Sequence, residues 1–150
     1  FRAVFSNNGP LAAQSECGAG RAPVSVAYLA GRADPLIPYA GGSAGLAGAS
    51  LGTVLSAEAT VQFWLRVNGI SGSPVVTEFR DRVRDDGSTA VCWAYPGDQA
   101  RVWFIQVAGG GHAWPGERSF TRIEEETNGQ KNQDIRGADL AWAFFQGDDP

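Results

Sequence analysis

The sequence predicts an α/β fold: the C-terminal part of a mostly parallel sheet with flanking helices and one inserted β-hairpin. Three observations predict the α/β layout. Val24–Leu29 and Arg101–Val107 are nearly continuous apolar runs of strand length, the pattern of strands buried on both faces. A helix-period segment with its own start and stop signals lies between them, and another follows the second run. Strand, helix, strand, helix implies right-handed crossovers and an open sheet with helices packed on it.

Taken in order, Phe1–Phe5 is a short apolar run that ends in the turn-prone Ser6-Asn7-Asn8-Gly9. A polar, glycine-rich loop follows to Arg21, and the first buried strand then ends at Gly31. Gly41 to Gly52 reads as a glycine-rich loop. Ser56 suits an N-cap, with Glu58 in the first turn, where the helix dipole favours a carboxylate. Ala57, Val61, Trp64 and Leu65 follow at helical spacing, and Asn68-Gly69 is a stop. Thr77–Val83 and Thr89–Tyr95 flank Asp86-Gly87, a hairpin signal. The second buried strand ends at Gly109-Gly110-Gly111, and Glu124–Glu126 reads as a solvated loop. A last helix is expected from Asp134 through Leu140, Phe144 and Phe145 to Gly147.

Composition limits the function classes. The chain has 150 residues, 43% hydrophobic and 19% charged, enough for one domain with an apolar core. A net charge of −4 with no basic cluster argues against nucleic acid as a partner. No apolar run approaches the roughly 18 residues of a membrane helix. One histidine and two distant cysteines are a poor ligand set, so no metal or cofactor is expected. Cys17 and Cys92 either pair or stay as two buried thiols. The chain opens at Phe1, contains no Met and shows no leader pattern. Either a leader has been removed or the chain is a piece of a longer protein, and the motifs favour a piece.

Both buried runs end alike: a glycine turn, then a polar residue suited to catalysis. After the first comes Gly31-Arg32-Ala33-Asp34-Pro35; after the second, Gly109-Gly110-Gly111-His112-Ala113-Trp114-Pro115-Gly116. The carboxyl ends of parallel strands form the ligand crevice of open α/β sheets, so neighbouring strands would bring Asp34 and His112 to one edge. A carboxylate that accepts the imidazole Nδ1–H fixes the tautomer and frees the other nitrogen to take a proton from a hydroxyl nucleophile. His112, the sole histidine, is the side chain whose ordinary titration range suits base catalysis near neutrality. The plain alternatives are a hydrogen-bonded structural histidine and an Asp-Pro turn.

The segment from Val26 to Gly42, with Gly31-Arg-Ala-Asp34-Pro-Leu-Ile-Pro38-Tyr39-Ala-Gly41-Gly42, resembles the acid loop of the polyhydroxybutyrate depolymerase and feruloyl esterase group of α/β-hydrolases. Gly109–Gly116 resembles that group's histidine loop and is the most specific part of the likeness. The helix carrying Phe63-Trp64, the terminal Asp134–Phe145 segment and the opening strand extend the resemblance over essentially the whole chain. It implies a secreted serine esterase in which Asp34 is the triad acid and His112 the triad base, acting on polyester or on feruloyl or acetyl esters of polysaccharide. Trp114 would lie beside the pocket, or else pin the loop by packing. Ile70 stands where many relatives carry a cysteine, and Ala30 where they carry a histidine, which puts a disulfide there and the pocket floor in doubt.

In this fold the nucleophile occupies G-x-S-x-G on a strand-to-helix turn, in the order Ser, acid, His. Ser6, Ser15 and Ser25, which precede Asp34, lack flanking glycines. The pattern occurs at Gly41-Gly42-Ser43-Ala44-Gly45, after the acid and with no strand leading into it, so Ser43 reads as a decoy. The expectation is that nucleophile and oxyanion donors lie upstream of Phe1. The chain alone would then be inactive, with an open sheet edge that favours aggregation. Two other functions compete: a secreted polysaccharide-binding module using the chain's five Trp and three Tyr, and a serine peptidase of the same fold.

Overall fold

The computed structural model describes residues 1–15, 22–46, 49–116 and 121–150. It is a mixed α/β structure: a five-stranded mixed sheet, a separate two-stranded hairpin and, among the described residues, three helices. The sheet is built from β1 (Ala3–Asn7), β2 (Ser25–Gly31), β5 (Val75–Glu78), β6 (Thr89–Tyr95) and β7 (Val102–Ala108). Its strand order is β1-β2-β7-β6-β5. β1 with β2 and β2 with β7 pair parallel, while β7 with β6 and β6 with β5 pair antiparallel. The sheet is therefore half parallel rather than mostly parallel. The two continuous apolar runs become β2 and β7 side by side at its centre, where both faces are covered.

Alternation along these strands sends side chains to two cores. Helix α3 (Gly137–Gln146) seats Leu140 and Phe144 on Ala27, Leu29, Trp103 and Ile105. Helix α1 (Ala57–Val67) seats Ala57, Val61 and Leu65 on Tyr28, Ala30, Val102 and Phe104 of the opposite face. Ser56 caps α1 as expected, its hydroxyl accepting the Ala59 N–H at 3.0 Å, and Asn68 closes the helix. No helix among the described residues is long and apolar enough to cross a membrane.

Several boundaries differ from the sequence reading, each for a physical reason. The expected loop at Gly41–Gly52 is largely a hairpin, β3 (Gly42–Leu46) against β4 (Ala49–Val54), with a register shift between Ala44 and Gly45. Glu124–Glu126 lies on helix α2 (Arg122–Asn128), not in a loop, although its side chains are exposed as expected. Thr121 and Glu124 form a reciprocal capping box at its start. The hairpin strand expected at Thr77–Val83 is seated at Val75–Glu78 instead, because the Asp134 carboxylate captures the Arg82 and Val83 N–H groups at 2.7 and 3.1 Å. Asp134 is thereby occupied outside any helix. The last helix starts at Gly137, after an Asn132 turn that accepts the Asp134 and Ile135 N–H groups. Asp86-Gly87 is no two-residue turn: the buried Asp86 carboxylate takes the Ser88 and Gln133 N–H groups and ties the β5–β6 connection to the segment before α3. β1 runs on through Ser6 and Asn7, which the sequence reads as a turn.

Cys92 is a buried thiol on β6, and burial pushes its pKa up to about 12. Cys17, the other cysteine of the open pairing question, lies outside the described residues.

Candidate active site

The ends of β2 and β7 leave the sheet together. Past the last paired residues the two chains stay joined, with the Arg32 N–H donating to the Val107 carbonyl at 2.9 Å and the Ala33 N–H to that of Gly110 at 2.8 Å. Gly31 makes this approach possible. A Cβ there would fall 2.2 Å from the Gly111 oxygen and 2.5 Å from that of Gly110, so any larger residue would drive the loops apart.

Asp34 sits in a turn of its own making. Its Oδ1 accepts the N–H groups of Leu36 and Ile37 at 2.8 and 2.9 Å, which fixes the carboxylate plane. Its Oδ2 faces Nδ1 of His112 at 2.8 Å. The carboxylate is 1% exposed and the imidazole 34%, so the acid is shielded while the base keeps an open side. Among the described residues, Nε2 of His112 has no hydrogen-bond partner. A buried carboxylate on Nδ1 leaves the second nitrogen as the proton acceptor, the arrangement that general-base chemistry requires.

The histidine loop is held from below. The His112 N–H donates to the Asn128 carbonyl at 2.6 Å, and the Gly111 N–H to that of Gln130 at 2.7 Å. Gly129, at φ 75°, lets the chain after α2 pass this close, its Cα near Gly111. The acid loop is held from the side by Tyr39, whose hydroxyl accepts from Gln106 Nε2 and whose ring lies 5.2 Å from the Arg32 guanidinium carbon. Burial pushes the Tyr39 phenol up to about 12, with Glu58 adding to the rise.

The structure thus brings Asp34 and His112 together. Trp114, two residues further on, lies with its ring 5.5 Å from Phe5 and covers Gly137, where a Cβ would meet the indole at 2.7 Å. These contacts pack the histidine loop against β1 and the start of α3, and 41% exposure leaves part of the ring in solvent. Ser43 is exposed on β3, paired with Thr53, so its G-x-S-x-G pattern lies along a strand rather than on a strand-to-helix turn.

Sequence reasoning missed Asn7 and Asn8. Asn8 is buried at φ 49°, its oxygen accepting the Gly31 N–H at 2.8 Å and its amide donating to the Gly111 carbonyl at 3.3 Å. Asn7 donates to the His112 carbonyl at 3.3 Å, while its own carboxamide oxygen is buried without a partner among the described residues. The one available signal was asparagine's tolerance of left-handed backbone, which says turn and nothing of these partners. Among the described residues no three His, Cys, Asp or Glu side chains converge as metal ligands.

No family model matches this chain, and no curated protein sequence matches it, so the site is read from its own geometry.

Proposed function

We propose that this chain supplies the acid and base of a serine-type carboxylic ester hydrolase, as the C-terminal half of an α/β-hydrolase domain. The observation that carries the reading is the 2.8 Å contact between His112 Nδ1 and a shielded Asp34 carboxylate whose other oxygen is already committed to backbone N–H groups. A merely structural Asp-Pro turn would need no imidazole, and a surface histidine no buried acid. In this reading a serine hydroxyl from a G-x-S-x-G turn N-terminal to Phe1 attacks an ester carbonyl while His112 Nε2 takes its proton. The imidazolium, stabilised by Asp34, returns that proton to the departing alcohol. Water then attacks the acyl-enzyme with His112 again as base, and the carboxylic acid leaves.

Two features support an upstream half. β1 is a parallel edge strand with Val4 41% exposed, a place where a further strand would pair. The order acid then base, with no serine in elbow context before Asp34, also matches that half of the fold. The substrate class, polyester or acylated polysaccharide, and extracellular location rest on the resemblance of the two loops. The test is hydrolysis of an aryl ester by the protein extended N-terminally through the serine turn. There Asp34→Asn should lower kcat on the order of 10⁴-fold, as in the serine protease triad. A loss under about tenfold removes Asp34 from the role.

One observation favours a second reading, a polysaccharide-binding module. A cleft of about 240 Å³ lies beside α1, lined by Trp93, Tyr95 and Phe104 with Glu58, Gln62 and Gln106 as polar rim. Retention on xylan that Trp93→Ala abolishes, with no esterase activity in the extended protein, would select it.

A further inference from the structure

Resting on the acid–base reading, we infer that Asn8 is a positioning residue: one buried carboxamide at the end of β1 sets the alignment of His112 against Asp34. The sheet order puts β2 between β1 and β7, so β1 has no backbone contact with the strand that carries the histidine loop. The Asn8 side chain spans that gap. Its oxygen takes the N–H of Gly31, three residues before Asp34, and its amide donates to the carbonyl of Gly111, the residue before His112. Its own N–H donates to the Leu29 carbonyl at 2.8 Å, so the residue is fixed at both backbone and side chain.

Among the described residues, the backbone bonds between the two loops stop short of the histidine, and the Gly111 and His112 N–H groups are taken by Gln130 and Asn128 instead. Their backbone bonds join Arg32 to Val107 and Ala33 to Gly110, which fixes the acid loop against the glycines but not against residues 111 and 112. Asn8 and Asn7 hold the next two carbonyls, Gly111 and His112, in sequence. Residue 8 is also 4% exposed, so water does not replace a lost carboxamide freely. Misplacing a catalytic group by about 1 Å costs on the order of 10²-fold in rate.

The side chain can be removed without straining the chain. At φ 49° glycine is at ease, so Asn8→Gly deletes the carboxamide and keeps the turn. Asn8→Asp keeps the shape and the acceptor for Gly31 but faces the Gly111 carbonyl with an oxygen in place of a donor. Because His112 is the only histidine, its ring ¹⁵N signals and its Nδ1 proton are read in the chain without assignment. The wild type is expected to show one tautomer, protonated at Nδ1, with a slowly exchanging low-field proton.

In both variants the Nδ1 proton signal is expected to broaden or vanish and the two ring nitrogen shifts to converge, while circular dichroism and a cooperative melt report an intact fold. In the extended esterase kcat is expected to fall on the order of 10²-fold with KM little changed. Unchanged ring signals in folded Asn8→Gly and Asn8→Asp overturn the proposal, and so does loss of folding in both, which would make Asn8 a fold residue only. The spectroscopic result does not depend on esterase activity. If Asp34→Asn proves harmless to catalysis, the esterase reading falls while the alignment of His112 by Asn8 is still decided.

Discussion

Two glycine-rich segments invite the same reading and do opposite things. The histidine loop, with Gly31 opposite it, and the β3–β4 hairpin both offer glycines around a residue suited to catalysis, His112 in one and Ser43 in the other. In the first, glycine is demanded by proximity: at Gly31 and Gly111 a Cβ would collide with backbone at 2.2 and 2.1 Å. In the second, Gly42 and Gly52 have open space around them and are there for their positive φ, 116° and 102°, and the one close approach, a Cβ at Gly45 falling 2.0 Å from the Ala49 oxygen, is to the hairpin's own partner strand. Glycines that let three backbones meet build a site, because they fix side chains from several directions. Glycines that shape a two-stranded ribbon, tied to the acid loop by the Gly45 N–H to the Leu36 carbonyl at 2.8 Å, leave the exposed Ser43 without such surroundings.

The largest test of that contrast is Gly31→Ala. Forcing the added methyl between the acid and histidine loops is expected to cost about 1–3 kcal/mol of stability, as overpacking does, measured by denaturant unfolding. Because the loops must move, esterase activity of the extended protein should fall further, on the order of 10²-fold in kcat. A Gly31→Ala protein with wild-type stability and rate would mean that the close approach has no role in holding the pair.

How much of this was legible in the sequence follows from the same physics. The central strands were, since burial on both faces demands unbroken apolar runs, and Val26–Leu29 and Val102–Ile105 supply them. Asp34 and His112 were found because each follows such a run through a glycine. The β3–β4 hairpin was not: β4 is exposed along nearly its whole length and β3 buries only Ala44 between glycines, so no period-two apolar alternation is there to read. Helix α2 carried a readable signal in Thr121-x-x-Glu124, a capping box that the run of glutamates overshadowed. Asn8 and Asp134 could not have been found, because their partners lie at Gly31 and Gly111 in one case and at Arg82 and Val83 in the other. Local sequence does not encode which distant N–H a carboxamide or carboxylate will take.

The packed sheet should also set the alkaline limit of stability. Burial holds the Cys92 thiol in its neutral form up to about 12, against an ordinary value of 9.0 that the unfolded chain would show. Its contribution is therefore whole below pH 9 and is lost as pH rises from 9 toward 12, where only the unfolded state releases the proton. Tyr28 and Tyr39, both raised by burial, add to the decline above their ordinary 10.0. Thermal melts of the wild type and Cys92→Ala across pH 8–11 separate the terms. The wild type should begin to lose Tm near pH 9, and the variant nearer pH 10, as expected from those ordinary values. Coincident curves would show that the thiol is not shielded.

On the hairpin, Gly42→Ala meets no neighbour and carries only the strain of a positive φ, expected to cost about 1–3 kcal/mol. Because a Cβ at Gly42, the last residue of the acid-loop segment, meets no atom of either loop, kcat of the extended protein should stay within about twofold of wild type, the range of a distant surface change. A rate loss as large as that of Gly31→Ala would mean that the hairpin, already bonded to the acid loop through Gly45 and Leu36, helps to align the pair, and would erase the distinction between the segments.

Ser43→Ala is the smallest effect expected and the sharpest check. The serine has the flanking pattern of a nucleophile, yet it lies in an exposed strand opposite Thr53, after the acid in chain order. An elbow serine works because a tight turn lifts its hydroxyl toward the imidazole and aims the following N–H at the oxyanion. A residue in regular antiparallel pairing has neither. Removing the hydroxyl should leave stability within about 0.5 kcal/mol and esterase rates unchanged, as for any surface position far from the chemistry. The 150-residue chain by itself should show no ester hydrolysis above buffer. Activity in that chain, lost on Ser43→Ala, would mean that the hairpin folds onto His112 during turnover. The upstream nucleophile would then be unnecessary, and the glycines of the hairpin would have to be read as a hinge.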